Sequence, residues 1–137
     1  KIVIDTNILI SFVTDRDLNQ QKMASGLFDN ASQQKYLILC PQNVLTEFVY
    51  VMDKVYNATS VKINEILMDF ISMPGIEIVN HLDMMQLFFY WPEHFSDFGD
   101  AIVASVCKVN KGASVATFDR KFKNALEKVN LEIHSFQ

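Results

Sequence analysis

Four acidic residues lie at positions where a charge is locally unexpected. Asp5 and Asp119 each follow a predicted strand, Glu47 borders an apolar helical stripe, and Asp100 lies at a predicted helix start. Carboxylates in such positions lose hydration and repel one another, so a cluster persists when cations neutralise it. Hard oxygen ligands favour Mg²⁺ or Mn²⁺ over Zn²⁺. The four acids therefore predict a site for Mg²⁺ or Mn²⁺.

The chemistry that matches such a site is hydrolysis of a phosphodiester. Metal ions hold the phosphate, lower the pKa of an attacking water and stabilise the leaving oxygen. This reaction needs no protein nucleophile. The chain has no G-x-S-x-G elbow and no glycine-rich phosphate loop, and it can still be an enzyme of this kind.

Strands and helices alternate along the sequence. Strands are predicted over residues 1–5, 36–40, 76–79, 114–117 and 131–134. Helices are predicted over 6–13, 18–29, 44–56, 81–91, 98–110 and 120–129, with a further helix that Thr59 or Ser60 caps and that ends before Pro74. This order indicates an α/β domain on a mainly parallel sheet. Ligand sites in such sheets lie beyond the carboxyl ends of the strands, so Asp5 and Asp119 are expected at one edge.

Length and composition indicate a packed globular protein. The 137 residues fit a single domain over 1–137, and 50% hydrophobic with 20% charged residues excludes a disordered chain. The apolar runs are shorter than the roughly 18 residues that cross a bilayer, and no basic, apolar leader opens the chain. Cys40 and Cys107 lie in apolar surroundings and lack zinc-site spacing. We expect reduced thiols and a cytoplasmic protein that does not enter membranes.

The charge distribution leaves one basic region on an acidic chain. A net charge of -4 argues against binding nucleic acid through bulk charge. Residues 108–128, however, hold six basic residues against two acidic ones. Arg120, Lys121 and Lys123 are candidates for attracting an RNA backbone that the carboxylates repel. The alternative is an ordinary solvated helix face.

Four short motifs occur in the order in which PIN domains carry their acidic motifs. They are Asp5-Thr6-Asn7, Thr46-Glu47-Phe48, the run from Asp97 to Ala104, and the run from Thr117 to Phe122. The sequence thus resembles the PIN domain family over nearly its whole length. The resemblance implies a three-layer sandwich with a central, mainly parallel sheet flanked by helices.

The resemblance also implies a function. It implies a Mg²⁺- or Mn²⁺-dependent endoribonuclease that cuts single-stranded or structured RNA and leaves 5′-phosphate and 3′-hydroxyl ends. Its catalytic metal ligands would be Asp5, Glu47, Asp100 and Asp119. Stand-alone PIN domains of this size are most often VapC-type toxins, so a toxin–antitoxin role, a cognate antitoxin and a homodimer are further expectations.

Three residues near the acids are expected to support them. Asn7 is predicted to orient Asp5 through local hydrogen bonds, and Asp97 to cap the helix that carries Asp100. Thr117 has the same strand parity as Asp119, which predicts a supporting hydroxyl on the same side.

Structural alternatives exist for the acids themselves. Asp5 can serve as a helix cap, Glu47 can lie at the solvent margin of its helix, and Asp119 can form a surface salt bridge. The aromatic run 88–91 fits core packing or a dimer interface better than base stacking.

Rival functions are distinguished by single positions. A non-catalytic PIN-like module that binds RNA or protein is the main competitor, and retention of all four acids argues against it. A phosphoaspartate hydrolase usually needs an acid where Asn7 stands. A response-regulator receiver would carry a lysine after a late strand, where Asp119 stands.

Overall fold

A computed structural model describes residues 1–136; Gln137, the last residue of the predicted domain, lies outside the described residues. The strands within this range are β1 (Ile2–Ile4), β2 (Ile38–Pro41), β3 (Ile76–Val79), β4 (Ser114–Ala116) and β5 (Glu132–Ile133). They form one sheet in the order β3-β2-β1-β4-β5, and each neighbouring pair is parallel. The predicted α/β fold is confirmed, and the sheet is parallel throughout rather than mainly parallel.

Helices connect the strands and flank the sheet. They are α1 (Thr6–Val13), α2 (Leu18–Ser32), α3 (Gln42–Lys54), α4 (Ser60–Ile71), α5 (Met84–Tyr90), α6 (Phe98–Val109) and α7 (Arg120–Lys128). Crossovers between parallel strands are right-handed, so connections that run in opposite directions across the sheet place helices on both faces. Among residues 1–136, no helix has the length and apolarity needed to cross a membrane.

The centre of the sheet is apolar on both faces. Ile2, Val3 and Ile4 are all buried, as are Leu39 and Val115, the register partners of Val3 on either side. An unbroken apolar run is what a strand covered by helices on both faces requires. The short β1 is thereby fixed at the middle of the core, and the position of Asp5 after it is fixed too.

Local capping moves several helix boundaries away from the predicted ones. The helix predicted over 81–91 begins only at Met84, because the Asp83 side chain accepts a hydrogen bond from the Gln86 N–H at 3.0 Å and starts the helix there. Thr59, rather than Ser60, caps α4 by accepting from the Lys62 N–H at 3.2 Å. Helix α3 begins at Gln42, directly after Pro41, two residues earlier than predicted.

Strand order creates a crevice at the carboxyl edge of the sheet. The chain leads outward from β1 through β2 to β3, then crosses to the other side of β1 to form β4 and β5. Connections therefore leave β1 and β4 in opposite directions. The gap between these two neighbouring strands is the switch point, where open α/β sheets bind ligands. Asp5 and Thr117 are the residues that directly follow these two strands.

Candidate functional site

Asp5 is both a helix cap and a buried acid. Its Oδ1 accepts a hydrogen bond from the Ile8 N–H at 3.2 Å, and its Oδ2 accepts one from the Thr117 hydroxyl. Only 6% of the residue is exposed. Burial raises the pKa of Asp5 to about 6; the Thr117 hydrogen bond opposes this shift, and the charge of Asp119 adds to it. The capping alternative is thus correct, but the cap lies in the crevice with the other acids.

Thr117 connects the first and last acidic motifs. It is fully buried, donates its hydroxyl hydrogen to Asp5 and accepts from the Asp119 N–H at 3.1 Å. Asp119 caps α7 through a hydrogen bond from the Phe122 N–H to its Oδ1 at 3.2 Å, and its side chain is exposed to the crevice. The Thr117 hydroxyl therefore forms hydrogen bonds with the backbone of Asp119 and with the carboxylate of Asp5.

Asp100 carries the clearest electrostatic signature of a shared acidic site. It lies in the first turn of α6, where Asp97 caps the helix by accepting from the Asp100 N–H at 2.9 Å. Partial burial raises the pKa of Asp100 to about 7, with further increases from the charges of Asp97, Asp5, Asp119 and Glu47. Apart from Asp97, which caps the same helix, these acids come from separate segments of the chain and lie within electrostatic reach of Asp100.

Glu47 reaches the crevice from α3. Its Oε2 accepts a hydrogen bond from the Thr6 hydroxyl at 2.7 Å, which ties it to the residue after Asp5. Gly99 lies against the same carboxylate, and a Cβ atom at Gly99 would overlap Glu47 Oε1. The missing side chain at Gly99 is therefore what makes room for Glu47 beside α6. Sequence reasoning missed both Thr6 and Gly99, although each lies inside a recognised motif.

All four predicted acids line one small cavity of about 50 Å³. Its lining consists of Asp5, Thr6, Asn7, Asn43, Glu47, Gly99, Asp100, Val103 and Asp119. Among residues 1–136, no three His, Cys, Asp or Glu side chains converge closely enough to hold one ion as they stand. The donor set nevertheless fits a hard divalent cation, because it is made of oxygen ligands whose mutual repulsion a cation relieves.

Asn7 is bound by Arg16. Its side-chain Oδ1 and its carbonyl oxygen both accept from Arg16 Nη2 at 3.4 Å, so the side chain contacts the α1–α2 loop, and Asn7 also lines the acidic cavity. The backbone N–H of Asn7 lowers the pKa of Asp5 by hydrogen bonding to it, against the larger effect of burial. The backbone, not the amide side chain, is what acts on the acid.

A larger cavity of about 570 Å³ adjoins the acidic one and shares Asp100 and Asp119 with it. It lies between residues 92–97 and α7, and its α7 wall carries Lys121, Asn124, Ala125 and Lys128 at helical spacing. Of the three basic residues predicted to bind RNA, Lys121 lines this cavity, whereas Arg120 and Lys123 do not. Neither Lys121 nor Lys128 forms an ion pair with another described residue.

The aromatic run after Leu87 is divided between core and surface. Tyr90 is buried, Trp91 is half-buried, and Phe88 and Phe89 are more than half exposed. Core packing accounts for Tyr90. The two exposed rings lie outside the cavities that hold the acids.

Comparison with known proteins yields one match to a family. A sequence profile described as the PIN domain matches residues 2–128, a range that contains the four acids and all four motifs. No curated protein matches the chain significantly.

Proposed function

Because this chain belongs to the PIN domain family, whose members are in general nucleases, we propose that it is a Mg²⁺- or Mn²⁺-dependent endoribonuclease. Its substrate would be single-stranded RNA. The observation that carries the proposal is the position of the acids: four carboxylates from four separate elements line one cavity at the switch point of the sheet. Burial raises the pKa of Asp100, and repulsion from the neighbouring acids raises it further.

The chain's own residues would hold and orient the cation ligands. Asp5, Glu47, Asp100 and Asp119 would bind the ion, which when bound lowers the pKa of a water and stabilises the leaving oxygen. Thr117 fixes one oxygen of Asp5, and Thr6 fixes one oxygen of Glu47. These hydrogen bonds restrict the rotation of two ligands before substrate arrives, as preorganised sites require.

The basic wall of the larger cavity supplies attraction for the RNA backbone. Lys121 and Lys128 lie seven residues apart on α7, which corresponds to about 10 Å along the helix axis. Lysines at this distance can bind phosphates of the strand that leaves the acidic cavity. We therefore assign RNA binding to Lys121 and Lys128, in place of Arg120 and Lys123.

The toxin role, the antitoxin and the homodimer belong to the same proposal. They rest on family membership. Exposed apolar side chains, which often mark protein interfaces, lie on α3, directly after it, and on α4 and α5: Tyr50, Val55, Val61, Met68, Met85, Phe88 and Phe89. Mass measurement in solution tests the dimer, and co-purification with the product of an adjacent reading frame tests the antitoxin.

One observation favours a second candidate, a PIN-like module that binds RNA without cutting it. Among residues 1–136, the acids do not converge in threes on one point, as a rigid, preformed metal site would require. Under this alternative the lysines on the α7 wall of the larger cavity would still bind RNA, and Mn²⁺ would not bind tightly.

Cleavage of mixed-sequence single-stranded RNA in Mn²⁺, Mg²⁺ or EDTA tests the proposal. The Asp100→Asn variant should lose at least about 100-fold in rate, because a lost ligand removes several kcal/mol of charge stabilisation. The matched control is Asp69→Asn, which removes an exposed acid on α4 that lines neither cavity. Equal cutting by Asp100→Asn and the wild type contradicts the nuclease assignment. If the protein neither cleaves RNA nor releases or absorbs heat on titration with Mn²⁺, the result supports the non-catalytic binding module.

A further inference from the structure

The larger cavity has a wall that the proposed function does not use. Two of the four acids lie at the end that it shares with the acidic cavity, and Lys121 and Lys128 line its α7 wall. The wall that faces α7 is formed by residues 92–97 and includes the side chain of His94. The volume of about 570 Å³ lies within the range of about 300–1,000 Å³ typical of small-ligand clefts, so the cavity has room for a nucleotide.

The His94 ring is held in position although the residue is exposed. Its Nδ1 lies 3.2 Å from the Phe89 carbonyl oxygen, and because a carbonyl oxygen only accepts, Nδ1 donates the hydrogen. The backbone N–H of His94 donates to the Tyr90 carbonyl oxygen at 2.8 Å. These two hydrogen bonds tie the ring and its backbone to the end of α5, so the side chain loses little rotational freedom when a ligand binds.

Two aromatic rings of α5 pack against His94. Phe89 stacks on the imidazole with ring centroids 5.3 Å apart and an interplanar angle of 21°. The buried Tyr90 meets the imidazole at 68°, with ring centroids 6.0 Å apart. Phe89 is 66% exposed, so the stacked pair is a surface feature rather than part of the core, and its His94 member lines the larger cavity. Aromatic rings beside a basic groove are the combination by which proteins bind single-stranded nucleic acids.

We infer that the His94 ring, supported by Phe89, is a platform on which an unpaired base of the RNA stacks inside the larger cavity. The inference rests on the proposed function, which supplies the strand whose phosphates Lys121 and Lys128 bind. Every base has a face that can stack, so this contact tolerates any sequence. Neighbouring bases cover both faces of a base within a duplex, so the contact requires an unpaired nucleotide. The cavity would thus bind the backbone on one wall and a base on the other.

Binding titrations with a single-stranded oligouridine in EDTA, which suppresses metal-dependent cutting, test the inference. His94→Ala should weaken binding by about 5- to 150-fold, the range for the loss of one base–aromatic stack. His94→Phe loses the same hydrogen bond to Phe89 but keeps an aromatic ring, so its affinity should lie closer to that of the wild type than to that of His94→Ala. The matched control His81→Ala removes an exposed histidine that lines neither cavity and should bind like the wild type. Wild-type affinity in His94→Ala, equal losses in His94→Ala and His94→Phe, or no binding by the wild type overturns the inference.

A probe without bases separates stacking from charge. Inorganic polyphosphate presents the negative charges of a nucleic-acid backbone but has no ring to stack. Lys121→Ala should therefore weaken its binding, whereas His94→Ala should leave it unchanged. Equal weakening of polyphosphate and oligouridine binding in His94→Ala would mean that the imidazole acts as a cation, which overturns the inference.

The exposed rings of α5 provide a second matched pair. Phe89→Ala removes the ring that stacks on His94 and should weaken oligouridine binding by a smaller factor than His94→Ala. Phe88→Ala removes a similarly exposed ring that lines neither cavity and should bind like the wild type. If both variants bind RNA normally and both change the mass of the protein in solution, α5 is a protein interface and the inference is overturned.

These titrations are independent of cleavage. Binding that depends on His94 in a protein that cuts no RNA would support the inference and contradict the nuclease. Cutting by a protein whose RNA binding does not depend on His94 would support the nuclease and overturn the inference.

Discussion

Neutralising Asp100 should make the protein more stable than the wild type in the absence of divalent cations and less stable than the wild type in their presence. The substitution Asp100→Asn keeps the shape of the side chain and removes its charge. In the wild type, burial and four neighbouring acids raise the pKa of Asp100 from 3.8 to about 7. The charged form is therefore unfavourable in the folded protein at neutral pH, and the variant is free of this cost.

The size of the effect follows from the pKa shift. Each pKa unit corresponds to about 1.4 kcal/mol, so a shift of about three units sets an upper limit of about 4 kcal/mol. Asp100 is partly solvated, and screening reduces the expected gain in unfolding free energy to about 1–2 kcal/mol. For a chain of this length the gain corresponds to about 3–8 °C in melting temperature.

The difference in stability between Asp100→Asn and the wild type depends on pH. A carboxyl whose pKa is raised on folding contributes stability below its unfolded pKa of 3.8, and that contribution disappears as pH rises through about 7. The difference between Asp100→Asn and the wild type should thus be near zero at about pH 4. It should grow to its full value at about pH 8.

Thermal unfolding in EDTA and in Mn²⁺ is the assay. Binding stabilises a protein by about 2.7 kcal/mol at a hundred times the dissociation constant, so saturating Mn²⁺ should place the wild type above Asp100→Asn. The control Asp69→Asn should follow the wild type in both buffers. A variant that melts below the wild type in EDTA at about pH 8 would refute the electrostatic reasoning. Equal stabilisation of both proteins by Mn²⁺ would refute the assignment of Asp100 as a ligand.

Three further substitutions test the parts around the acids. Gly99→Ala should lower RNA cleavage by about 10-fold or more by displacing the Glu47 carboxylate, with little loss of stability because only the end of a flexible side chain must move. Thr117→Val should cost about 1–3 kcal/mol of unfolding free energy, measured by urea titration, and should raise the pKa of Asp5 further by removing its hydroxyl partner. Lys121→Ala should raise KM more than it lowers kcat, and should reduce the slope of log affinity against log salt by about 1 in RNA-binding titrations.

Each of these three substitutions has a matched control variant. Gly26→Ala adds the same methyl group where a Cβ atom would meet nothing within 4 Å beyond its own helix backbone and chain neighbours, so it should leave cleavage unchanged. Thr117→Ser retains the hydroxyl and should restore most of the stability lost in Thr117→Val. Lys123→Ala removes a charge from the same helix outside the larger cavity and should change the salt slope less than Lys121→Ala. A control variant that changes its measured property more than the substitution it is matched to contradicts the role assigned to that residue.

The sequence predicts the centre of this fold well because its signals there are local. The apolar run before Asp5 determines a buried strand, and parallel strands must deliver their following residues to one edge, so Asp5, Thr117 and Asp119 could be placed together. The start of α5 was predicted wrongly, because the cap at Asp83 overrides the apolar periodicity that extends to earlier residues.

Residue periodicity could not identify which lysines reach the site. Phe122 and Leu126 fix the buried face of α7, and basic residues flank that face on both sides. The side that borders a cavity is decided by the loop 92–97, which is distant in sequence and packs across the crevice. The same limit applies to Asn43, because the burial of its Oδ1 without a hydrogen-bond partner among residues 1–136 depends on the packing of α3 beside the acids.

The hydrogen bond between Thr117 and Asp5 joins residues 112 positions apart, and this separation bears on how the protein is made. At about 5–20 residues per second, a ribosome adds the intervening chain in roughly 6–20 s. During that time β1 and its acid exist, but β4, the Thr117 hydroxyl and Asp119 do not. A nascent chain, or a fragment cut before β4, therefore lacks an assembled site. For a protein proposed to cut RNA, this order of synthesis delays activity until β4, Thr117 and Asp119 have been made.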